Sequence, residues 1–493
     1  MSNEQNNNRS IFKATAILGS VQVFNIIIGI VRNKIVSILL GPSGMGIVGL
    51  LQSTSSTVSG LTNCGVSQSV VKNVAMAYEE KNYTLLGKIV YTLKRLVVTT
   101  GLLGSLFMLL FCRQLSVWTF GNEDFTISFA CLSISILFTQ LANSFTTIVK
   151  GCRQIKYYAK ANVLGHFCSL LISVPLYYVW GKDAIAPVLV LVSISTFLFA
   201  YIYKRKLRIE DVKASKEEFK AISWDILKMG LPLAASDILP IFASYLIRIH
   251  VSTSGSIADV GLYSAAFAIL NGYVGMIFTA MSSDYIPRLS AISSNNETCT
   301  QVINSQIRLS ILILFPILLS LIGLVKLVVL ILYSSKFYPM CGIICWGALG
   351  MLYKTFNWCY GCLLIPKRES RVYFILSVLS VAVFLGASIG LYDLLGLTGL
   401  GIAFLVSHSF DFLAVYVFIK RKYQIGIYKR IFGELFAFTL LILLLVYLNV
   451  YTSLGLWQYV LEGMVIVAAY AYSLICLDRL VGIKEFVRTK FKR

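Results

Sequence analysis

Charge is scarce in this chain. Asp, Glu, Lys and Arg make up 13% of its 493 residues, where a water-soluble domain carries about 25%. That shortage excludes an ordinary soluble fold. The short alternating strands of a membrane β-barrel are missing too. No glycine-rich loop ends in the Gly-Lys-Ser/Thr of a nucleotide-binding site, so an energy source must be an ion gradient, the membrane potential or removal of product. No soluble catalytic segment with paired carboxylates interrupts the apolar runs, which argues against a membrane polymerase or glycosyltransferase. The opening MSNEQNNNRS has no cleavage-site pattern and reads as a mature cytoplasmic tail. The eleven cysteines fall mostly in apolar segments, and Cys359-Tyr-Gly-Cys362 has neither a second pair nor a histidine cluster. It reads as packing, so no metal, cofactor or disulfide is expected.

What is present is apolar sequence: 57% hydrophobic residues and a mean hydropathy of +0.78. Repeated runs of roughly 20 apolar residues indicate a polytopic all-α membrane protein. Fourteen transmembrane helices are expected, at about 14–40, 44–70, 96–112, 126–149, 161–180, 184–203, 227–250, 260–283, 307–325, 341–365, 372–391, 397–419, 431–450 and 457–477. Basic loops are expected after the second helix, with Lys72, Lys81, Lys88, Lys94 and Arg95, and at 150–160. Residues 326–337 read as an interfacial stretch.

The formal charge of +21 invites a nucleic-acid partner, but its distribution fits cytoplasmic loops better. On this map 35 of the 43 lysines and arginines fall in the tails and alternate loops. Arg113, Lys182, Lys326 and Lys336 fall on the opposite side. The positive-inside rule then places both termini in the cytoplasm. The opposite-side loops are all short, which excludes a large extracytoplasmic module.

A shift of 215 residues aligns landmarks of the two halves. Gly46 meets Gly261, Gly60 meets Gly275, Arg153 meets Arg368, Lys156 meets Arg371, Tyr158 meets Tyr373 and Gly181 meets Gly396. The expected organisation is a six-helix lobe at 1–203, a basic cytoplasmic linker at 204–224, a pseudo-symmetric six-helix lobe at 225–419, and two further helices with a basic tail at 420–493. Parallel repeats of this kind can rock about a central cavity.

Four cations stand inside apolar helices: Arg32, Lys34, Arg248 and Lys354. A charge at that depth costs at least about 2.5–3.5 kcal/mol on insertion scales and usually faces a cavity or a partner. Arg suits bidentate binding of phosphate oxygens and Lys a point-charge contact, so an anionic substrate such as a pyrophosphate fits. The other reading is ion pairing with Asp237, Asp411, Glu434 or Glu462. Arg32 and Lys34 lie about 200° apart around a helix and cannot both point to one cavity centre. Asp237 is a candidate for ion coupling, with a structural pairing as the alternative. His166, His250 and His408 read as packing or hydrogen-bonding residues. Gly41-Pro42-Ser43-Gly44 reads as a turn, and Tyr157 and Tyr158 belong to a generic basic loop. The acceptor patterns at Asn82 and Asn296 map to the cytoplasm and are set aside.

LGPSGMGIVG (40–49), KGCRQIKYYAKANVLG (150–165), DVGLYSAA (259–266), YIPRLS (285–290) and KRESRVYF (367–374) together resemble the Wzx-type polysaccharide flippases of the MOP superfamily. MATE exporters and MurJ-type lipid II flippases are their relatives. The resemblance implies a V-shaped pair of lobes. It also implies transfer of undecaprenyl-pyrophosphate-linked oligosaccharide units across the bacterial inner membrane, as in O-antigen export, with Arg32, Lys34, Arg248 and Lys354 in the cavity. The partners it implies are the lipid-linked substrate, the bilayer, and a glycan polymerase with its chain-length machinery. A lipid II flippase shares the cationic cavity. A drug or cation antiporter would want an acidic one. The last two helices go beyond a twelve-helix core.

Overall fold

The computed structural model describes residues 2–452 and 456–481; the distal basic tail lies outside them. Every described element is helical. The chain is a multi-pass membrane protein with a polytopic all-α fold. By length and composition, ten of its described helices can cross a bilayer, or eleven if a bent helix counts as one span. Two of the ten hold two expected spans each. Residues 24–63 break at Gly41, and 155–205 break at a short 3-10 turn, Gly181–Ala184. Each of the fourteen expected segments therefore has a helix in its place.

The first compact unit spans residues 1–261. It contains α1 (Ser2–Asn63), α2 (Val66–Glu79), α3 (Tyr83–Leu110), α4 (Cys112–Phe120), α5 (Thr126–Gly151), α6 (Ile155–Trp180), α7 (Ile185–Arg205) and α8 (Lys216–Ser254). The basic loop expected after the second helix is largely helical: Lys72 lies in α2, and Lys88, Lys94 and Arg95 lie in α3. The reason is length. The 28 residues of α3 extend about 42 Å, beyond a hydrocarbon core of about 30 Å, so its first turns carry cations without burying them. The basic 150–160 segment is likewise mostly helical, with only 152–154 between α5 and α6.

The apolar face of α2 recurs at helical spacing, Val66, Val70 and Val74, and packs on Leu86, Leu93 and Val97 of α3 and Phe145 of α5. Fully buried Gln140 ties three helices together. It donates to Thr62 Oγ1 (2.9 Å) and accepts from Thr100 Oγ1 (3.0 Å).

Between α7 and α8 the chain is irregular, and it is strapped to α3. Asp211 pairs with Lys94 (3.4 Å) and Lys204 (3.2 Å). Ser215 closes a capping box with Glu218, which two orphan amide groups at a helix start require. Glu218 in turn accepts from Lys88 at 2.5 Å. These contacts hold α8 in the first unit, so the boundary drawn by packing lies beyond the polar linker. α8 bends by 53° between Lys216–Pro232 and Asp237–Ser254. Pro232 and Pro240 supply the cause, since each removes a helix hydrogen bond.

The second unit spans residues 262–493. α9 (Ile257–Phe267) enters it, followed by a π-helical stretch (Ala268–Val274), α10 (Met276–Ala291), α11 (Asn296–Gly323), α12 (Val325–Leu332), α13 (Cys341–Leu364), α14 (Ser370–Leu395), α15 (Leu397–Tyr423), α16 (Lys429–Tyr451) and α17 (Leu456–Val481). α11 starts eleven residues before the expected span because Asn295 caps it, accepting from the Glu297 and Thr298 amides. It is the centre of this unit: 72% of its apolar stretch is buried, against 6% for α14. An apolar helix left that exposed has lipid as its solvent.

Candidate functional site

α1 carries two of the four predicted cations just before its break. Gly41 has φ 66° and ψ −173°, a conformation open to glycine and strained for residues with a Cβ, and Pro42 follows without an amide to continue the ladder. Arg32 is half-buried and within electrostatic reach of the Tyr177 hydroxyl of α6. That hydroxyl is buried and makes no ordinary hydrogen bond. Lys34, two residues on, is engaged in polar or electrostatic contacts. Arg248 of α8 donates through Nη1 to Ser244 Oγ (2.5 Å) and Ser244 O (3.2 Å), one turn back.

The first unit holds a polar cavity of about 430 Å³, and Asp237 lines it where α8 resumes after its bend. Gln68 of α2 donates to Asp237 Oδ2 at 2.7 Å. Gln52, Ser55, Asn63 and Asn143 add uncharged donors and acceptors. The predicted cations Arg32, Lys34 and Arg248 are not among its lining residues.

Lys354, the fourth predicted cation, lies on α13 in the second unit. It lines a cavity of about 290 Å³ with His408, Asp411 and Ser380. Its Nζ donates to Asn271 Oδ1 at 2.7 Å and lies over the Phe404 ring. Asn271 belongs to the π-helical stretch, a helix defect that often marks functional positions. Asp411 accepts from Ser380 (2.8 Å), and His408 Nδ1 stands 3.4 Å from its carboxylate.

The other intramembrane acids have partners of their own. Glu434 of α16 sits between Arg308 (3.4 Å) and Arg430 (3.1 Å). Glu462 of α17 accepts from Asn449 (2.7 Å) and Gln458 (2.9 Å). Gln68, His408 and Arg308 were not singled out as site residues by sequence. The polar run QSTSST at 52–57, inside an apolar helix, was the available signal for the first cavity.

Residues 35–342 match the polysaccharide biosynthesis protein family. This chain belongs to that family. Among curated proteins, the polysaccharide biosynthesis chain is 23% identical over 384 residues to the lipid III flippase of Escherichia coli (strain K12) and to that of Shigella flexneri, covering 75% of this chain and 88% of each relative. Among solved structures it resembles the lipid II flippase MurJ in an inward closed conformation, with TM-score 0.74 and 13% identity over 94% of this chain and 98% of that one. It also resembles an inward-facing MATE multidrug resistance transporter of the MOP superfamily, with TM-score 0.69 and 15% identity over 83% and 98%. The fold of this family member is thus the polytopic all-α MOP fold.

Proposed function

We propose that this chain is a flippase, not an enzyme. It moves undecaprenyl-pyrophosphate-linked oligosaccharide repeat units from the cytoplasmic to the outer leaflet of the bacterial inner membrane by alternating access. The observation that carries the reading is family membership over residues 35–342 together with cations set inside apolar helices. The flippase relatives point the same way. Arg32, Lys34, Arg248 and Lys354 attract the pyrophosphate, where a guanidinium can bind two oxygens at once and an ammonium adds a point charge. The uncharged amides and hydroxyls of the first unit's cavity suit the many hydroxyl groups of a glycan. The isoprenoid stays in the bilayer. Both termini lie in the cytoplasm, and the periplasmic polymerase and chain-length machinery receive the product.

Export of a cationic solute is the second reading. Asp237 favours it, as the one charged side chain among the described residues lining that cavity. Proteoliposomes containing the full chain separate the two. The flippase reading expects an undecaprenyl-pyrophosphate-linked saccharide to change leaflet, with transfer lost in Arg248→Ala protein that still inserts. Efflux of a cationic dye with no lipid transfer would overturn it.

A further inference from the structure

The second unit holds a titratable cluster that the flippase reading does not yet use. Asp411 is buried to 6% exposure and His408 to 17%, one helical turn apart on α15. The Asp411 carboxylate takes one hydrogen bond, from Ser380 of α14. His408 Nδ1 points at it from 3.4 Å, is shut off from solvent, and makes no hydrogen bond of ordinary geometry. An unsatisfied buried nitrogen beside a carboxylate is costly. The neutral imidazole can already direct its one N–H at the carboxylate from Nδ1, and a second proton, on Nε2, makes that contact a charge-assisted hydrogen bond. Lys354 lines the same cavity from α13 and is within electrostatic reach of Asp411, yet spends a short hydrogen bond on Asn271.

We propose that the His408–Asp411 pair is the proton-binding site that couples transport, with Lys354 linking its occupancy to the charge of the substrate. This rests on the flippase reading and moves the coupling role from Asp237 to Asp411. α15, which carries the pair, packs on α13, α14 and the 3-10 turn Ser335–Met340, and its Phe404 and Tyr416 rings meet Phe267 of α9 and Phe432 of α16. The other titratable groups lining its cavity are Lys354 and Cys362 of α13 and Tyr373 of α14. Lys336 and Tyr338 of the turn and Asp393 of α14 are not among the lining residues. With no anion beside it, the Lys354 ammonium lining the same cavity opposes a further positive charge on the pair. When a pyrophosphate sets its negative charge against Lys354, that bias is offset. The pair then takes one proton from water, which makes the imidazole an imidazolium with Nδ1–H facing Oδ2. Departure of the anion restores the bias and expels the proton. No other bond is made or broken. Linkage makes the effect reciprocal, so a proton on the pair tightens anion binding by the same factor. A sodium ion would sit beside an ammonium and compete with it, so a proton is the better occupant.

The test is titration calorimetry of the full-length solubilised protein with farnesyl pyrophosphate, in two buffers of different ionisation enthalpy at pH 8. There the pyrophosphate ester, with its last pKa near about 6, is already ionised. The expected result is uptake of close to one proton per ligand bound, with affinity falling about tenfold per pH unit above the midpoint. Asp411→Asn and His408→Gln should bind the ligand with the uptake gone, and Asp237→Asn should keep it. Wild-type binding without proton uptake overturns the proposal and leaves the flippase reading standing, and needs no variant to fold. Loss of uptake in Asp237→Asn with retention in Asp411→Asn also overturns it. Failure of the wild-type protein to bind the isoprenoid pyrophosphate removes both.

Discussion

Gly46 and Gly261, 215 residues apart, pack against backbone in the same way. A Cβ on Gly46 would lie 1.8 Å from the Ile257 carbonyl oxygen, and one on Gly261 would lie 2.0 Å from that of Pro42. Ile257 is itself the counterpart of Pro42 at the same offset. Each glycine therefore receives the carbonyl that lies four residues before the other, a local two-fold exchange. Other backbone features repeat at this offset. Gly181 and Gly396 share φ near 55–60° and close helices, and Arg153 and Arg368 share left-handed φ of 53° and 60°.

Either glycine should therefore resist the smallest substitution. Gly46→Ala or Gly261→Ala must push backbone against backbone, with an expected loss at or above about 1–3 kcal/mol. Because both act on one crossing, the double variant should cost less than the sum. Thermal unfolding in detergent checks this. Wild-type melting of both single variants would contradict it.

Much of this architecture was legible in sequence. Apolar run lengths located fourteen helices, and Gly41-Pro42, Gly181 and Gly396 located their breaks. Helix ends were less legible, because Lys88 and Arg95 look like loop residues until α3 is seen to outrun the membrane core. Pairings were least legible. Gln68 and Asp237 are 169 positions apart, and nothing local links them. Arg308 stands at the edge of the expected 307–325 span, and nothing local links it to its partner Glu434 in α16.

That pair gives a second prediction. Glu434 is 8% exposed between two guanidinium groups. Glu434→Ala leaves Arg308, at 20% exposure, without its counter-charge, and breaking such a buried pair costs about 3–5 kcal/mol. Arg430→Ala should cost far less, because Arg430 is 62% exposed. Unfolding midpoints of the two variants should fall in that order.

Gln140 supplies a third. Its replacement by Ala removes the bridge to Thr62 and Thr100; both hydroxyls keep a backbone carbonyl one turn back, so the expected loss is about 0.5–1.5 kcal/mol per hydrogen bond. Glu, which keeps the acceptor and loses the amide donor, should recover part of the Thr100 contact and none of the Thr62 contact. Stability of the two variants measured side by side tests this.

A fourth concerns pH. Hydrogen bonds from Lys422 and then from the Tyr423 hydroxyl (2.5 Å) hold the Glu369 carboxyl below the usual carboxylate range. A depressed acid stabilises the fold above its unfolded pKa of about 4.3, and that contribution disappears as pH falls through the lower folded value. Hydrogen exchange of the 365–369 loop, corrected for intrinsic rate, should stay slow at neutral pH and accelerate below about pH 4. Glu369→Gln should exchange fast throughout, and an unchanged profile in that variant would remove the carboxylate from the account.

The central claim is that this protein carries a lipid-linked oligosaccharide across the membrane. Its most direct test is the leaflet location of the undecaprenyl-pyrophosphate-linked repeat unit in cells depleted of the protein and without a redundant flippase. The account predicts accumulation on the cytoplasmic face while peptidoglycan synthesis continues. Normal arrival of the glycan lipid at the periplasmic face, or arrest of peptidoglycan synthesis in its place, would contradict it.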